Sequence, residues 1–272
     1  MPLRDYLRFL TQPLARDCDI NSPSTTQLRR RILLENPFLR RIYEEWYGAI
    51  LETLPAGPGR ILEIGTGAGF LSQLLPGLIT SEIFQIPGLD LVLDSCRLPF
   101  AAQSLRAIVM TDVLHHIPDV RQFLNQASAC VKPGGAIVMI EPWDSAWSRW
   151  IFTHLHHEPY QPDAERWEFP STGPLSGANG ALPWIVFERD KARFAAEHPQ
   201  WQVVSILPMM PFRYLLSGGV TYRSLVPGWT FPLWRAIDRT VQRFGMAMFA
   251  RIVVRRCEDP DRPRFTNPSL PR

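Results

Sequence analysis

The stretch Ile61-Leu62-Glu63-Ile64-Gly65-Thr66-Gly67-Ala68-Gly69-Phe70 constrains this chain more than any other part of it. An apolar run leads straight into three glycines at alternate positions. That is the pattern of a buried strand entering a tight turn and then a helix. Glycines there leave the backbone bare, so a ligand can lie against it at a helix N-terminus. Two familiar variants of such a turn are excluded. A G-x-G-x-x-G fingerprint needs its third glycine where Phe70 stands, and no Gly-Lys-Ser/Thr follows to make a P-loop.

The residues around the turn extend the pattern. Strand signals recur at Leu78–Glu82, Leu89–Leu93, Ala107–Thr111 and Ala136–Ile140. A helical stretch from Asp119 to Cys130 precedes the last of them and stops at Lys132-Pro133-Gly134-Gly135. Strands alternating with helices imply a parallel sheet with right-handed crossovers. Two further strand candidates follow, Trp201–Leu207 and Ala247–Arg255. On the N-terminal side, Leu3, Tyr6, Leu7 and Leu10 recur at helical spacing, and a second helical run extends from Thr25 to Leu54.

Acidic residues sit at the ends of these strand candidates. Glu63 lies two residues before Gly65, Glu82 ends the second strand, and Asp94 follows the third within Leu93-Asp-Ser-Cys-Arg-Leu-Pro-Phe100. Then come Ile108-Val-Met-Thr-Asp-Val-Leu-His-His-Ile-Pro118 and Lys132-Pro-Gly-Gly-Ala-Ile-Val-Met-Ile-Glu-Pro142. This ordered set resembles the class I S-adenosylmethionine-dependent methyltransferases, in their small-molecule branch. The resemblance spans Arg60 to Pro142. It implies an α/β, Rossmann-like sheet with helices on both faces and a reversed final strand, here Ala247–Arg255. It also implies S-adenosylmethionine as cofactor. Gly65, Gly67 and Gly69 would make room for its methionyl and ribose parts, with Thr66 beside them. Glu63 would hold the methionyl ammonium, and Glu82 the ribose hydroxyls. Asp94, with Ser95, would meet the adenine, and Asp112 would line the methionyl side. One departure is visible: the segment from Glu82 to Leu89 is too short for the helix that usually stands there.

Candidates for chemistry lie at the carboxyl ends of the strands, where open parallel sheets place ligands. His115 and His116 follow the fourth strand, and Glu141 ends the fifth. Neighbouring strands can bring a histidine and a carboxylate together as a base and its orienting partner. Packing and capping of the turn before Pro118 is the alternative use of that pair. After Pro142, Asp144 or Ser145 can cap a helix. Trp143, Trp147, Trp150, His154 and His157 would then share one helix face, serving either as core or as a substrate wall. Three histidines (His154, His156, His157) and Glu158 there could suggest a metal, but His154 and His157 stand at i, i+3 with no matching acidic motif, so no metal is expected. The Gly/Ser/Pro-rich stretch Ser171–Trp184 is either a lid or a plain connection. Residues 208–243 mix aromatics with five arginines, a texture suited to a cap on its own domain, a lipid-like substrate or a membrane surface.

Composition sets the remaining bounds. The 272 residues suit one α/β domain with elaborations, expected as an N-terminal helical cap (1–57), a methyltransferase domain (58–256) with insertions at 143–200 and 208–245, and an irregular tail (257–272). The net charge of +3 is unevenly spread: residues 213–272 carry 11 basic and 4 acidic groups. That excess is modest, and no Asn/Asp-Pro-Pro-aromatic motif follows the fourth strand, so nucleic acid is not the expected partner. Cys18, Cys96, Cys130 and Cys257 form no C-x-x-C pair. The N-terminus lacks the apolar core of a signal peptide, and no uncharged apolar run approaches the about 18 residues of a membrane span, so a cytoplasmic protein is expected. The expected activity is methyl transfer to a small or lipid-like, amphipathic acceptor, at oxygen, of the kind found in bacterial secondary metabolism. A non-methylating enzyme of the same fold, such as a cyclase, and a cofactor-binding scaffold without turnover are the rivals.

Overall fold

In a computed structural model, residues 10–12, 22–156, 158–171, 173 and 177–258 are described. Seven strands form one sheet: β1 (Arg60–Ile64), β2 (Leu78–Glu82), β3 (Leu91–Val92), β4 (Leu105–Thr111), β5 (Val131–Pro142), β6 (Trp201–Met209) and β7 (Phe249–Arg256). Their order is β3-β2-β1-β4-β5-β7-β6. The first five run parallel, and β7 runs antiparallel to both β5 and β6. The chain builds outward from β1 to β3, then returns across the sheet to β4. The β1/β4 junction is therefore the switch point, and a crevice opens beyond the strand ends there.

Both faces of the central strands are covered, which is why these strands read as continuous apolar runs. On one face, Leu62, Ile108, Met110, Ile137 and Met139 share a core with Phe123, Leu124 and Ala127 of α3 (Val120–Cys130). On the other, Ile61, Val109, Val138 and Ile140 share a core with Leu39, Ile42, Trp46, Tyr47 and Ile50 of α2 (Pro37–Leu51). Ala107 and Ala136 are register partners on this second face, two small residues opposite α2's large ones. So α2 is a layer of the core, not a cap held apart from it.

Several elements differ from the sequence expectation, each for a local reason. The helical run over Thr25–Leu54 is two helices, α1 (Pro23–Glu35) and α2. Pro37 holds Asn36 in extended backbone, and the Asn36 side chain then accepts from the N–H groups of Phe38 and Leu39, both at 3.1 Å. The helix expected after the glycine turn is a single 3-10 turn, Leu71–Gln73, halted before Pro76-Gly77. β3 is two residues long, shorter than the expected Leu89–Leu93, and no helix precedes it among the described residues. Asp90 fixes that connection instead, its carboxylate accepting from both the N–H and the hydroxyl of Thr80 at 2.8 Å. Lys132–Gly135, expected as a turn, belongs to β5 as an irregularity: Leu105 pairs with Val131, but Ala107 already pairs with Ala136.

Helical pieces follow β5 both before and after β6. Ser145 caps α4 (Ala146–Leu155) in a reciprocal arrangement with Ser148. A short turn, Leu182–Trp184, runs through a π-helical stretch, Ile185–Arg189, into α5 (Lys191–Glu197). Between β6 and β7 lie α6 (Arg213–Ser217) and α7 (Phe231–Gln242). Arg213 fastens them to α2, donating to Asp238 and to Glu45, each at 2.7 Å. Among the described residues no helix is long and apolar enough to cross a membrane.

Candidate functional site

The carboxyl ends of β1, β2, β4 and β5 open onto a cavity of about 480 Å³. Its floor is the glycine turn. Gly65 has a φ of +67°, and a Cβ there would lie 2.5 Å from a Val113 methyl. At Gly69 a Cβ would lie 2.4 Å from the Tyr47 hydroxyl. These two glycines thus make room for protein neighbours as well as leaving the backbone bare to the cavity. The Tyr47 hydroxyl accepts from the Phe70 N–H at 3.1 Å, and Arg30 donates to the Gly69 carbonyl, so α1 and α2 hold the turn from behind.

Carboxylates ring this floor. Glu63 is 2% exposed, and its Oε2 accepts from the Thr66 hydroxyl at 2.9 Å. Burial, with the nearby charge of Glu82, pushes its pKa up to about 7, against the pull of Thr66 and Arg30. Glu82 accepts from the N–H of Gly67 at 3.0 Å and of Ile83 at 2.9 Å, so it braces the turn it faces. Asp94 is exposed and accepts from the Cys96 N–H at 2.8 Å. Asp112 sits at a φ of +64°, a left-handed conformation that aspartate tolerates better than most residues. Glu63, Gly65, Thr66, Gly67, Gly69, Glu82, Asp94, Ser95 and Asp112 all line the cavity.

The histidine pair divides into two roles. His115 is 1% exposed, and its Nδ1 lies 2.8 Å from Glu141 Oε2. The other oxygen of Glu141 accepts from the N–H groups of Val113 and Leu114, fixing the turn after β4. Burial opposes a charge on His115, but Glu141 and Glu158 outweigh it and lift its pKa well above the ordinary histidine value. The contact with Glu141 is the pairing that the sequence suggested, on a ring that is buried and does not line the cavity. His116 is the ring that lines the cavity. Burial and the adjacent His115 push its pKa down to about 4, and its Nδ1 lies 3.1 Å from the Gly177 carbonyl. Glu158, which the sequence shows only as the end of a histidine-rich stretch, faces both: its oxygens lie 3.5 Å from His115 Nε2 and 3.7 Å from His116 Nε2.

The expected aromatic stripe does not form the wall. Trp143 precedes the Ser145 cap and is buried in the core. Trp147 donates its indole N–H to the Pro211 carbonyl at 2.7 Å, and His154 is exposed, stacked on Trp150. Neither Trp147 nor His154 lines the cavity, and His157 falls outside the described residues. The cavity meets a different edge of α4 at Phe152, and His156 just past its end. The remaining apolar wall is Tyr43, Tyr214, Val220 and Phe249, drawn from α2, α6, the following loop and β7. Ser171 and Gly173 reach the cavity from the Gly/Ser/Pro-rich stretch, and Thr26 and Arg29 reach it from α1. Sequence offered a weak signal for Tyr43 and Tyr47, four apart on α2, placed Tyr214 only within the aromatic stretch 208–243, and gave none for Phe249.

Comparison with known proteins places this geometry in a class. A methyltransferase-domain family matches residues 38–180, more than half of the chain. The chain belongs to that family, the class I S-adenosylmethionine-dependent methyltransferases. No curated protein sequence matches it. Among solved structures it is similar to geranyl diphosphate C-methyltransferase from Streptomyces coelicolor, crystallised with Mg²⁺, geranyl diphosphate and S-adenosyl-L-homocysteine. Identity is 15%, coverage is 91% of this chain and 89% of that one, and the TM-score is 0.50. It is also similar to the YcgJ protein of Bacillus subtilis, with 15% identity, coverage of 79% and 99%, and a TM-score of 0.45. A third similar structure is the [4+2]-cyclase SpnF, with 12% identity, coverage of 79% and 82%, and a TM-score of 0.47.

Proposed function

We propose that this protein transfers the methyl group of S-adenosylmethionine to an oxygen of a small or amphipathic acceptor. The observation that carries the reading is the single cavity with two unlike halves. One half is backbone and carboxylate: the glycine turn, Glu63, Glu82 and Asp94. The other is aromatic and apolar, with one polar corner made by His116, His156 and Glu158. The first half suits a zwitterionic nucleoside with a ribose diol, and the second suits an apolar body with one hydroxyl.

When bound, the cofactor supplies an electrophilic methyl carbon on a sulfonium. The protein's task is alignment and proton management. Glu63 meets the ammonium, Glu82 the ribose hydroxyls and Asp94 the adenine amino group. Tyr43, Phe152, Tyr214 and Phe249 hold the acceptor's apolar body against the cofactor half. An acceptor oxygen forms the new bond to the methyl carbon as the carbon–sulfur bond breaks, and its proton must leave. His116 stays neutral and Glu158 stays ionised, because His115 holds Glu158 well below the usual carboxylate range despite its burial. The corner therefore offers electron pairs to that proton.

Calorimetric titration with S-adenosylmethionine and S-adenosylhomocysteine tests the cofactor half. Both bind, and Asp94→Ala weakens them at least about tenfold, about 1.4 kcal/mol. Transfer of radiolabelled methyl to phenols and hydroxylated amphiphiles tests the acceptor half. Absence of binding to either nucleoside overturns the reading.

A further inference from the structure

We infer that His115, His116 and Glu158 form a site for one divalent first-row transition ion at the acceptor end of the cavity. The three residues offer ligand atoms that all lie within 4.8 Å of one another. The approaches are His115 Nε2 to Glu158 Oε2 at 3.5 Å and His116 Nε2 to Glu158 Oε1 at 3.7 Å. Both exceed the length of a good N–H···O bond. The first matches ligand spacing, since bonds of about 2.0–2.1 Å to a tetrahedral ion place neighbouring ligand atoms about 3.3–3.5 Å apart, and the second is slightly longer.

The surroundings of the two rings point the same way. His115 Nδ1 is anchored on the Glu141 carboxylate at 2.8 Å, and His116 Nδ1 on the Gly177 carbonyl at 3.1 Å. Each anchor directs a ring N–H outward and turns Nε2 toward the shared carboxylate. A carboxylate or a carbonyl behind each ligating imidazole is the arrangement that orients metal-bound histidines. Asp112 adds an oxygen 4.0 Å from His115 Nε2. His156 also approaches Glu158, its Nδ1 at 3.9 Å. His116, Asp112, His156 and Glu158 line the cavity, so part of the ion's coordination faces the acceptor. Two imidazoles and one carboxylate with open positions select a borderline ion such as Zn²⁺, Co²⁺, Mn²⁺ or Fe²⁺ rather than an all-oxygen binder.

This rests on the oxygen-acceptor reading only for its catalytic meaning. With the ion in place, an acceptor hydroxyl becomes its next ligand and gives its proton to bulk water. The resulting oxyanion would then form the bond to the methyl carbon as the carbon–sulfur bond of the sulfonium breaks and the thioether leaves. The ligand class is thus an alcohol, phenol or enol oxygen; with the ion bound, the His116 and Glu158 electron pairs are taken up by it, so the proton leaves to water and not to the corner.

The test uses the full chain, free of any tag and stripped with a chelator. Zn²⁺ binding is followed by calorimetry, Co²⁺ binding by its visible absorption, and S-adenosylhomocysteine binding on the same samples. One equivalent of either ion binds, with the Co²⁺ spectrum of a histidine–carboxylate site. His116→Ala and Glu158→Gln each weaken it at least about tenfold. Glu141→Gln, which leaves all three ligands in place, weakens it about 10–100-fold. The exposed His154→Ala is the control and leaves it unchanged. Absence of stoichiometric binding in the wild type overturns the site, as does binding that survives both ligand substitutions. S-adenosylhomocysteine binding without ion binding removes the ion and leaves the methyltransferase reading standing; the converse result does the opposite.

Discussion

Replacing Glu63 by Gln separates what the fold wants from what the cofactor wants. Glu63 is 2% exposed at the end of β1, and burial lifts its carboxyl from 4.5 to about 7. A carboxyl raised on folding binds protons more tightly in the native chain than in the unfolded one. Its contribution is therefore neutral at low pH and becomes a penalty as pH climbs from 4.5 through about 7, then levels off. At about 1.4 kcal/mol per unit, the penalty is about 1.4 kcal/mol at pH 5.5 and about 3 kcal/mol at pH 8. Glutamine removes it. It also weakens the bond from the Thr66 hydroxyl, now 2.9 Å from Oε2, by about 1 kcal/mol. Glu63→Gln is thus expected to be about 2 kcal/mol more stable than the wild type at pH 8 and nearly equal to it at pH 5.5. Urea denaturation of the cofactor-free protein at the two pH values reads this directly. S-adenosylmethionine affinity should fall at least tenfold in the same variant, because the ammonium loses its counter-charge. A variant no more stable than the wild type at pH 8, or a difference that does not change with pH, refutes the reasoning. Either would mean that the carboxylate is satisfied by the fold itself.

Two further perturbations probe the acceptor side. Arg213, 7% exposed, joins α6 to Asp238 of α7 and to Glu45 of α2, and Asp238 is itself only 1% exposed. Arg213→Ala strands that carboxylate and should cost about 3–5 kcal/mol, read as a lowered urea midpoint; Arg213→Ala with Asp238→Asn should recover part of it. Val220→Trp adds bulk to the apolar half, far from the glycine turn in sequence and role. It should raise the acceptor KM or abolish turnover while S-adenosylhomocysteine affinity stays within about twofold of wild type; a parallel loss of nucleoside binding would show that the two halves are not separate.

The two halves also differ in how much of them the sequence disclosed. The cofactor half is written locally. Gly65, Gly67 and Gly69 are tied to one turn, and Glu63, Glu82, Asp94 and Asp112 each sit at or just after a strand end, where parallel-sheet geometry brings them to a single edge. Strand alternation fixes that edge, so the pattern is readable without any tertiary contact. The turn could not disclose how it is supported: the hydroxyl behind Gly69 comes from Tyr47, 22 residues earlier. Helix boundaries slipped where one residue overrode a periodicity. Pro37 split the N-terminal run; the cap at Ser145 falls where the sequence offered it, but the cavity meets Phe152 and His156 and not the face that carries Trp147 and His154.

The acceptor half is assembled from across the chain, and that is why it stayed hidden. Its wall joins Tyr43, Phe152, Tyr214 and Phe249, residues from four different elements with no fixed spacing. Its polar corner shows the same logic in miniature. The sequence paired His115 with Glu141 because neighbouring parallel strands, β4 and β5, end side by side, and that contact exists at 2.8 Å. Nothing local could say that Glu158, past the end of α4, folds back to face both imidazoles. Once it does, the His115–Glu141 pair changes meaning. A buried ring held by one carboxylate, facing another and outside the cavity lining, is poorly placed to accept a proton from the cavity. The glycine turn and strand-end acids thus form a half of the cavity that is written locally, and the other half rests on contacts that only the tertiary fold creates.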